Sequence, residues 1–222
     1  MKTALVTGAS RGLGRAIAER LGAEGWQVIA VARTTGALEE LDDAIRAKGG
    51  APAVLVPLDL TDPAACDYMA RHLGERFGGL DLWVHAAIHA TPMAPAGHID
   101  AKDMTKAIAT NLACPAHLIP LIEPMLLARQ GTALFFDDPA GGEKFFGAYG
   151  ATKAAQIALV TSWQREAARI GPRVVLARPQ PMPTATRARF YPGEDRAPLA
   201  DPQAEAARIL AALSLALPGT DG

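Results

Sequence analysis

Cysteine is nearly absent, with two in 222 residues, which leaves little room for disulfide or thiolate–metal architecture. Cys66 and Cys114 show neither metal-ligand nor redox spacing. Each falls in a predicted helix, so packed, reduced thiols and no metal site are expected. An excess of one charge is missing too. The 22 basic and 23 acidic residues leave a net charge of −1, which offers nothing to nucleic acid or an anionic membrane. No apolar run reaches the ~20 residues that a bilayer span needs. The opening MKTALVTG runs straight into a predicted strand with no charged-then-apolar leader, so a cytoplasmic protein is expected. Linkers, repeats and low-complexity tracts are absent as well. What is there is 50% hydrophobic and 20% charged, enough for a large core, and the length suits one α/β domain over residues 1–222.

Along the chain, short apolar runs alternate with helical patterns. Lys2–Thr7 reads as a buried parallel strand and Arg15–Glu24 as a helix closed by Gly25. Trp26–Val31 is the second strand, Gly36–Lys48 a helix and Ala53–Pro57 the third strand. Thr61 or Asp62 caps the next helix, with Pro63 in its first turn and Gly78-Gly79 at its end. Asp81–Ala86 is strand four. A long helical stretch covers about Ala101–Arg129, where Pro115, Pro120 and Pro124 should bend or divide it. Thr132–Phe136 is strand five, Tyr149–Ile170 a helix and Arg173–Ala177 strand six. A proline-rich loop from Pro179 to Pro198 and a helix over Pro202–Leu217 complete the chain. Such alternation predicts a doubly wound parallel sheet with helices on both faces and right-handed crossovers.

Gly8, Gly12 and Gly14 occupy the first strand-to-helix turn of a complete βαβ unit. Glycine there permits a tight turn and lets the backbone approach a pyrophosphate, whose charge sits at the helix N-terminus. The spacing predicts dinucleotide binding. After strand two, where an acid would hold the ribose hydroxyls of NAD, the chain reads Ala32-Arg33-Thr34-Thr35, and no acid appears before Glu39. Arg33, with Arg11 in the glycine loop, suits a 2′-phosphate instead, so NADP(H) is preferred over NAD(H). Farther on, Tyr149 and Lys153 stand four residues apart on one helix face. An ammonium beside a phenol lowers its pKa, which suits proton transfer to or from a carbonyl or alcohol oxygen.

With these motifs in order, the chain resembles the short-chain dehydrogenase/reductase family of single-domain Rossmann type, from Lys2 to about Leu215. Thr7-Gly8-x-x-x-Gly12-x-Gly14 is similar to its glycine loop and Tyr149-x-x-x-Lys153 to its catalytic pair. Asp59-Leu60 sits where the family contacts adenine, and Asn111 matches an asparagine that helps hold a proton-relay water. Pro179 and Thr184 fit a stretch beside the nicotinamide. The resemblance implies catalysis by Tyr149, Lys153 and Asn111, with Lys153 also binding the nicotinamide ribose. It places cofactor against Gly8, Ser10, Arg11, Gly12, Leu13, Gly14, Arg33, Asp59, Leu60, Ala86, Ala87, Tyr149, Lys153, Pro179 and Thr184. The substrate, a small carbonyl or alcohol compound, would lie under the loop from Met182 to Pro198.

Three stretches depart from the family pattern. Family members carry a serine near the end of strand five, where this chain reads Phe136-Asp137-Asp138-Pro139. Alignment puts Asp138 at that position, and a shifted gap would put Phe136 there. Three readings of Asp138 stay open: an ionised group opposing Lys153, a protonated group donating to the substrate oxygen, or a turn cap facing away. His85-Ala86-Ala87-Ile88 replaces the usual asparagine-rich stretch after strand four, with Ile88 narrowing the site, and Gln180 replaces a glycine. His85 and His89 lie by the cleft as further proton-transfer candidates. Six strands in order 3-2-1-4-5-6 are expected, without the seventh that relatives add. An NADP(H)-dependent oxidoreductase is the first reading, and a cofactor-binding protein with little catalysis the alternative. Apolar helix surface around Ala154–Val160 predicts self-association, as a homodimer or, as the larger alternative, a tetramer.

Overall fold

The structure, a computed structural model, describes residues 1–215. Six parallel strands form one sheet in the order β3-β2-β1-β4-β5-β6. They are β1 (Thr3–Thr7), β2 (Gln27–Ala32), β3 (Val54–Pro57), β4 (Leu82–His85), β5 (Thr132–Phe136) and β6 (Arg173–Ala177). The central strand β1 is buried along its whole length, while the edge strand β3 is half-buried. Thr7 pairs with Val31 on one side and His85 on the other, so the strand order reverses at the C-terminal end of β1. Ligands of open α/β sheets bind in the crevice outside such a reversal.

Eight helices cover the two faces: α1 (Gly12–Ala23), α2 (Thr35–Ala47), α3 (Pro63–Phe77), α4 (Ala101–Ile108), α5 (Cys114–Leu127), α6 (Gly147–Ala167), α7 (Ala185–Phe190) and α8 (Pro202–Leu215). One core lies under α1, α2 and α8, through Ile17, Leu21, Leu38, Ile45, Ile209 and Leu213. The other lies under α3, α5 and α6, through Met69, Leu73, Leu118, Ile122, Val160 and Trp163. Asp62 Oδ1 caps α3 by accepting from Ala65 N (3.1 Å), with Pro63 in the first turn as expected. Buried Glu19 of α1 accepts from Arg15 Nε (2.9 Å), Lys48 Nζ (3.1 Å) and Gln203 Nε2 (2.9 Å), which joins the first helix to the second and the last.

Three places differ from expectation. The helical run after Ala101 does divide, but at a π-helical turn over Ala109–Ala113, just before Pro115. Pro115 itself sits in the first turn of α5, a position that proline favours. Pro120 and Pro124 lie inside α5 on its exposed face, where solvent can serve the carbonyls they leave open. The expected loop from Pro179 to Pro198 contains α7, six residues long and capped by Thr184 Oγ1, which accepts from Arg187 N (3.2 Å). Trp26 falls outside β2, its N–H turned back to Leu21 O at the end of α1. Residues 216 and 217 of the expected last helix lie outside the described residues.

Candidate active site

A cleft of about 680 Å³ opens at the C-terminal ends of the strands. Every residue expected to hold cofactor lines it: Gly8, Ser10, Arg11, Gly12, Leu13 and Gly14 before and within α1, Arg33 after β2, Asp59 and Leu60 after β3, Ala86 and Ala87 after β4, Pro179 and Thr184 after β6, and Tyr149 and Lys153 on α6. Gly8 has φ +80°, and a Cβ there would stand 2.5 Å from Ala87 N, so only glycine lets the loop press against the end of β4. Arg15 N is the helix amide that returns to the loop, at Arg11 O (3.3 Å), and no acidic side chain occupies the first turn of α1. That end is built for an anion. Arg11 and Arg33 are exposed at the rim, and among the described residues neither enters an ion pair. These residues fit a dinucleotide. Asp59 accepts from Thr61 N (3.0 Å) and Thr61 Oγ1 (2.8 Å); the backbone donor chiefly holds its carboxyl below the usual range.

At the other end of the cleft Tyr149 is 3% exposed, and its hydroxyl donates to Asp138 Oδ2 at 2.6 Å. Asp138 Oδ1 accepts from Ala140 N (3.0 Å). The carboxyl therefore caps its turn and binds the tyrosine together. It does not face away, and of the two candidates for the serine-like position Asp138 is the one that hydrogen-bonds Tyr149. Burial first, then the Asp138 charge and hydrogen bond, push the Tyr149 pKa up. The lowering expected from Lys153 does not appear. Lys153 points its Nζ to Gln156 Oε1 (2.6 Å), and burial brings it down to about 8 despite Asp138 and Asp137. Asp137 is itself ion-paired with Arg178 across the strand ends, with Nε at 2.7 Å.

Asn111 is fully buried in the π turn and is not among the residues that line the cleft. Its Oδ1 accepts from His89 N (2.7 Å), while Nδ2 donates to His89 O (3.0 Å) and Thr152 Oγ1 (3.0 Å). With the side chain spent, Asn111 clamps the segment after β4, and its carbonyl accepts from Gln156 Nε2 (2.8 Å). Burial, then the Lys153 charge, lowers His85 to about 3, so its ring is neutral. Nδ1 meets Thr7 Oγ1 at 2.9 Å. The Gln180 amide is taken by Glu205 Oε1 (2.8 Å).

Sequence reasoning missed an aromatic wall and Gln156. Phe190 of α7 lies over Tyr149 with ring centroids 4.7 Å apart and over Phe146 at 4.8 Å, and Ile88 packs against this cluster. The signal for Gln156 was its place one turn after Lys153, within reach along the helix.

A protein-family profile described as short chain dehydrogenase matches residues 2–195. The chain is 34% identical over 165 residues to a sorbitol dehydrogenase of Cereibacter sphaeroides, a match covering 72% of this chain and 62% of that protein. It is 32% identical over 154 residues to a serine 3-dehydrogenase of Rhizobium radiobacter, covering 68% and 60%. Its matches thus span about three-fifths of these curated relatives' lengths. Among solved structures, a short chain dehydrogenase of Shigella flexneri complexed with NADP superposes with a TM-score of 0.85 at 26% identity, covering 91% of this chain and 86% of that one.

Proposed function

The chain belongs to the short chain dehydrogenase family, and from that membership we propose an oxidoreductase that moves a hydride between NADP(H) and a small carbonyl compound or alcohol. One observation carries the reading. Tyr149, Lys153 and Asp138 converge at one end of the cleft whose other end is the glycine loop flanked by Arg11 and Arg33. Amides of the first turn of α1 take the pyrophosphate, and the two guanidinium groups pair with the 2′-phosphate. The bound nicotinamide supplies or accepts the hydride. Lys153 holds the adjoining ribose, and Tyr149 Oη gives its proton to the substrate oxygen. Burial and Asp138 keep that proton on Tyr149 in the resting site, the protonation state that carbonyl reduction starts from, and at the same time weaken the phenol as an acid. One nucleotide-binding domain does this work, in a homodimer formed through the outer faces of α5 and α6.

A second reading has its own support: a cofactor-binding protein with little turnover. Tyr149 lies under Phe190 with its hydroxyl engaged by Asp138, and Lys153 is engaged by Gln156. Turnover of a panel of ketones and aldehydes by parent and Tyr149→Phe protein, with NADPH and NADH binding measured separately, separates the two. Expected are reduction by the parent, its loss in the variant, and cofactor affinity retained with NADPH the tighter. Equal turnover by the variant sinks the role of Tyr149, and tighter NADH sinks that of Arg11 and Arg33.

A further inference from the structure

Gln156 is 2% exposed and lies one turn beyond Lys153 on α6. Its Oε1 accepts from Lys153 Nζ at 2.6 Å, and its Nε2 donates to the Asn111 carbonyl at 2.8 Å. The orientation of the carboxamide is forced: flipped, it would set NH₂ against the ammonium and oxygen against the carbonyl. Pro115, four residues on, has no N–H to give that carbonyl. The Asn111 side chain is already divided between His89 and Thr152, so the carbonyl is a fixed post.

We propose that Gln156 is a positioning residue, tethering Lys153 Nζ to the Asn111 main chain so that the ammonium is held from the protein side. The proposal rests on the hydride-transfer reading, in which Lys153 meets the cofactor. A carboxamide neither gives nor takes a proton near neutrality, so the tether sets position and charge without conducting protons. The other groups facing Lys153 are neutral His85 from β4, Asp137 and Asp138 after β5, and Tyr149 on its own helix. Only Gln156 hydrogen-bonds Lys153 Nζ among the described residues.

The test is an NMR titration of the Lys153 Cε–Hε signal in the full chain, assigned with Lys153→Met, for the parent, Gln156→Glu and Gln156→Leu. The parent midpoint should fall near 8. A carboxylate at Oε1 should raise it by about one pH unit or more, and leucine, which offers no acceptor, should lower it. Gln156→Met replaces leucine if branching disturbs the packing. A role in packing alone would cost stability in all variants without moving the midpoints in opposite directions. Midpoints that stay put, or move the same way, overturn the tether. The pH limb of carbonyl reduction should follow the NMR midpoints. If the midpoints separate as expected while even the parent reduces no carbonyl, the tether stands and the hydride-transfer reading falls.

Discussion

With its hydroxyl proton held at Asp138 Oδ2, 2.6 Å away, Tyr149 enters a reaction as an acid. Alcohol oxidation needs the opposite, a phenolate, and a raised pKa delays the phenolate to more alkaline solution. Replacing Asp138 by serine removes the charge and leaves a hydroxyl at the same place. The Tyr149 pKa should then fall, and alcohol oxidation between about pH 8 and 9 should rise by about tenfold for each unit of the fall. Measured pH–rate profiles of oxidation check this, and an unmoved limb would show that burial alone sets the tyrosine. At this scale the sequence was informative about which residues meet but less about how. Asp138 near Tyr149 was among the readings left open, because chain order puts both at the same strand end. That Asn111 would spend its side chain on His89 was not legible, since the bond depends on a π turn that no local pattern announces.

Helix α7 governs access. Its one buried residue is Phe190, whose ring covers Tyr149. Burying a phenylalanine is worth about 1.5–3 kcal/mol. Thr184 and the pair Arg187–Glu194 hold the segment at its two ends, so Phe190→Ala unlatches the middle alone. Amides of residues 185–191 should exchange with deuterium about 10- to 150-fold faster, the factor that this energy corresponds to, while β1 amides keep their protection. Unchanged exchange would place the latch elsewhere. This helix escaped sequence reading because Pro181, Pro183 and Pro192 bracket it and six residues carry too little periodicity. The prolines of α5 were informative in part: the run divides just before Pro115, while Pro120 and Pro124 lie inside the helix on its exposed face.

Across the whole molecule, the sheet order was legible because parallel strands joined by right-handed crossovers leave few arrangements once the glycine loop marks the first. The proposed association with a second copy would use the outer faces of α5 and α6, where a groove of about 460 Å³ runs between Ile119, Leu127, Leu159 and Trp163. Ile170 at its end is 90% exposed and Leu127 46%, apolar area that a partner helix pair would cover. Light scattering at micromolar concentration should give twice the chain mass of 23.2 kDa, and a monomer would contradict the pairing.

The Glu19–Gln203 contact joins positions 184 apart in the chain. Helix α1, which carries the phosphate end of the cleft, leaves a ribosome well before α8, which packs against it. Until then Ile17 and Leu21 lack the cover of Ile209 and Leu213. The cofactor end of this molecule is thus begun early and closed late, whereas Tyr149 and Lys153 arrive when α3 and α5 are already in place. For a nascent chain, the vulnerable surface is the one that will hold the dinucleotide.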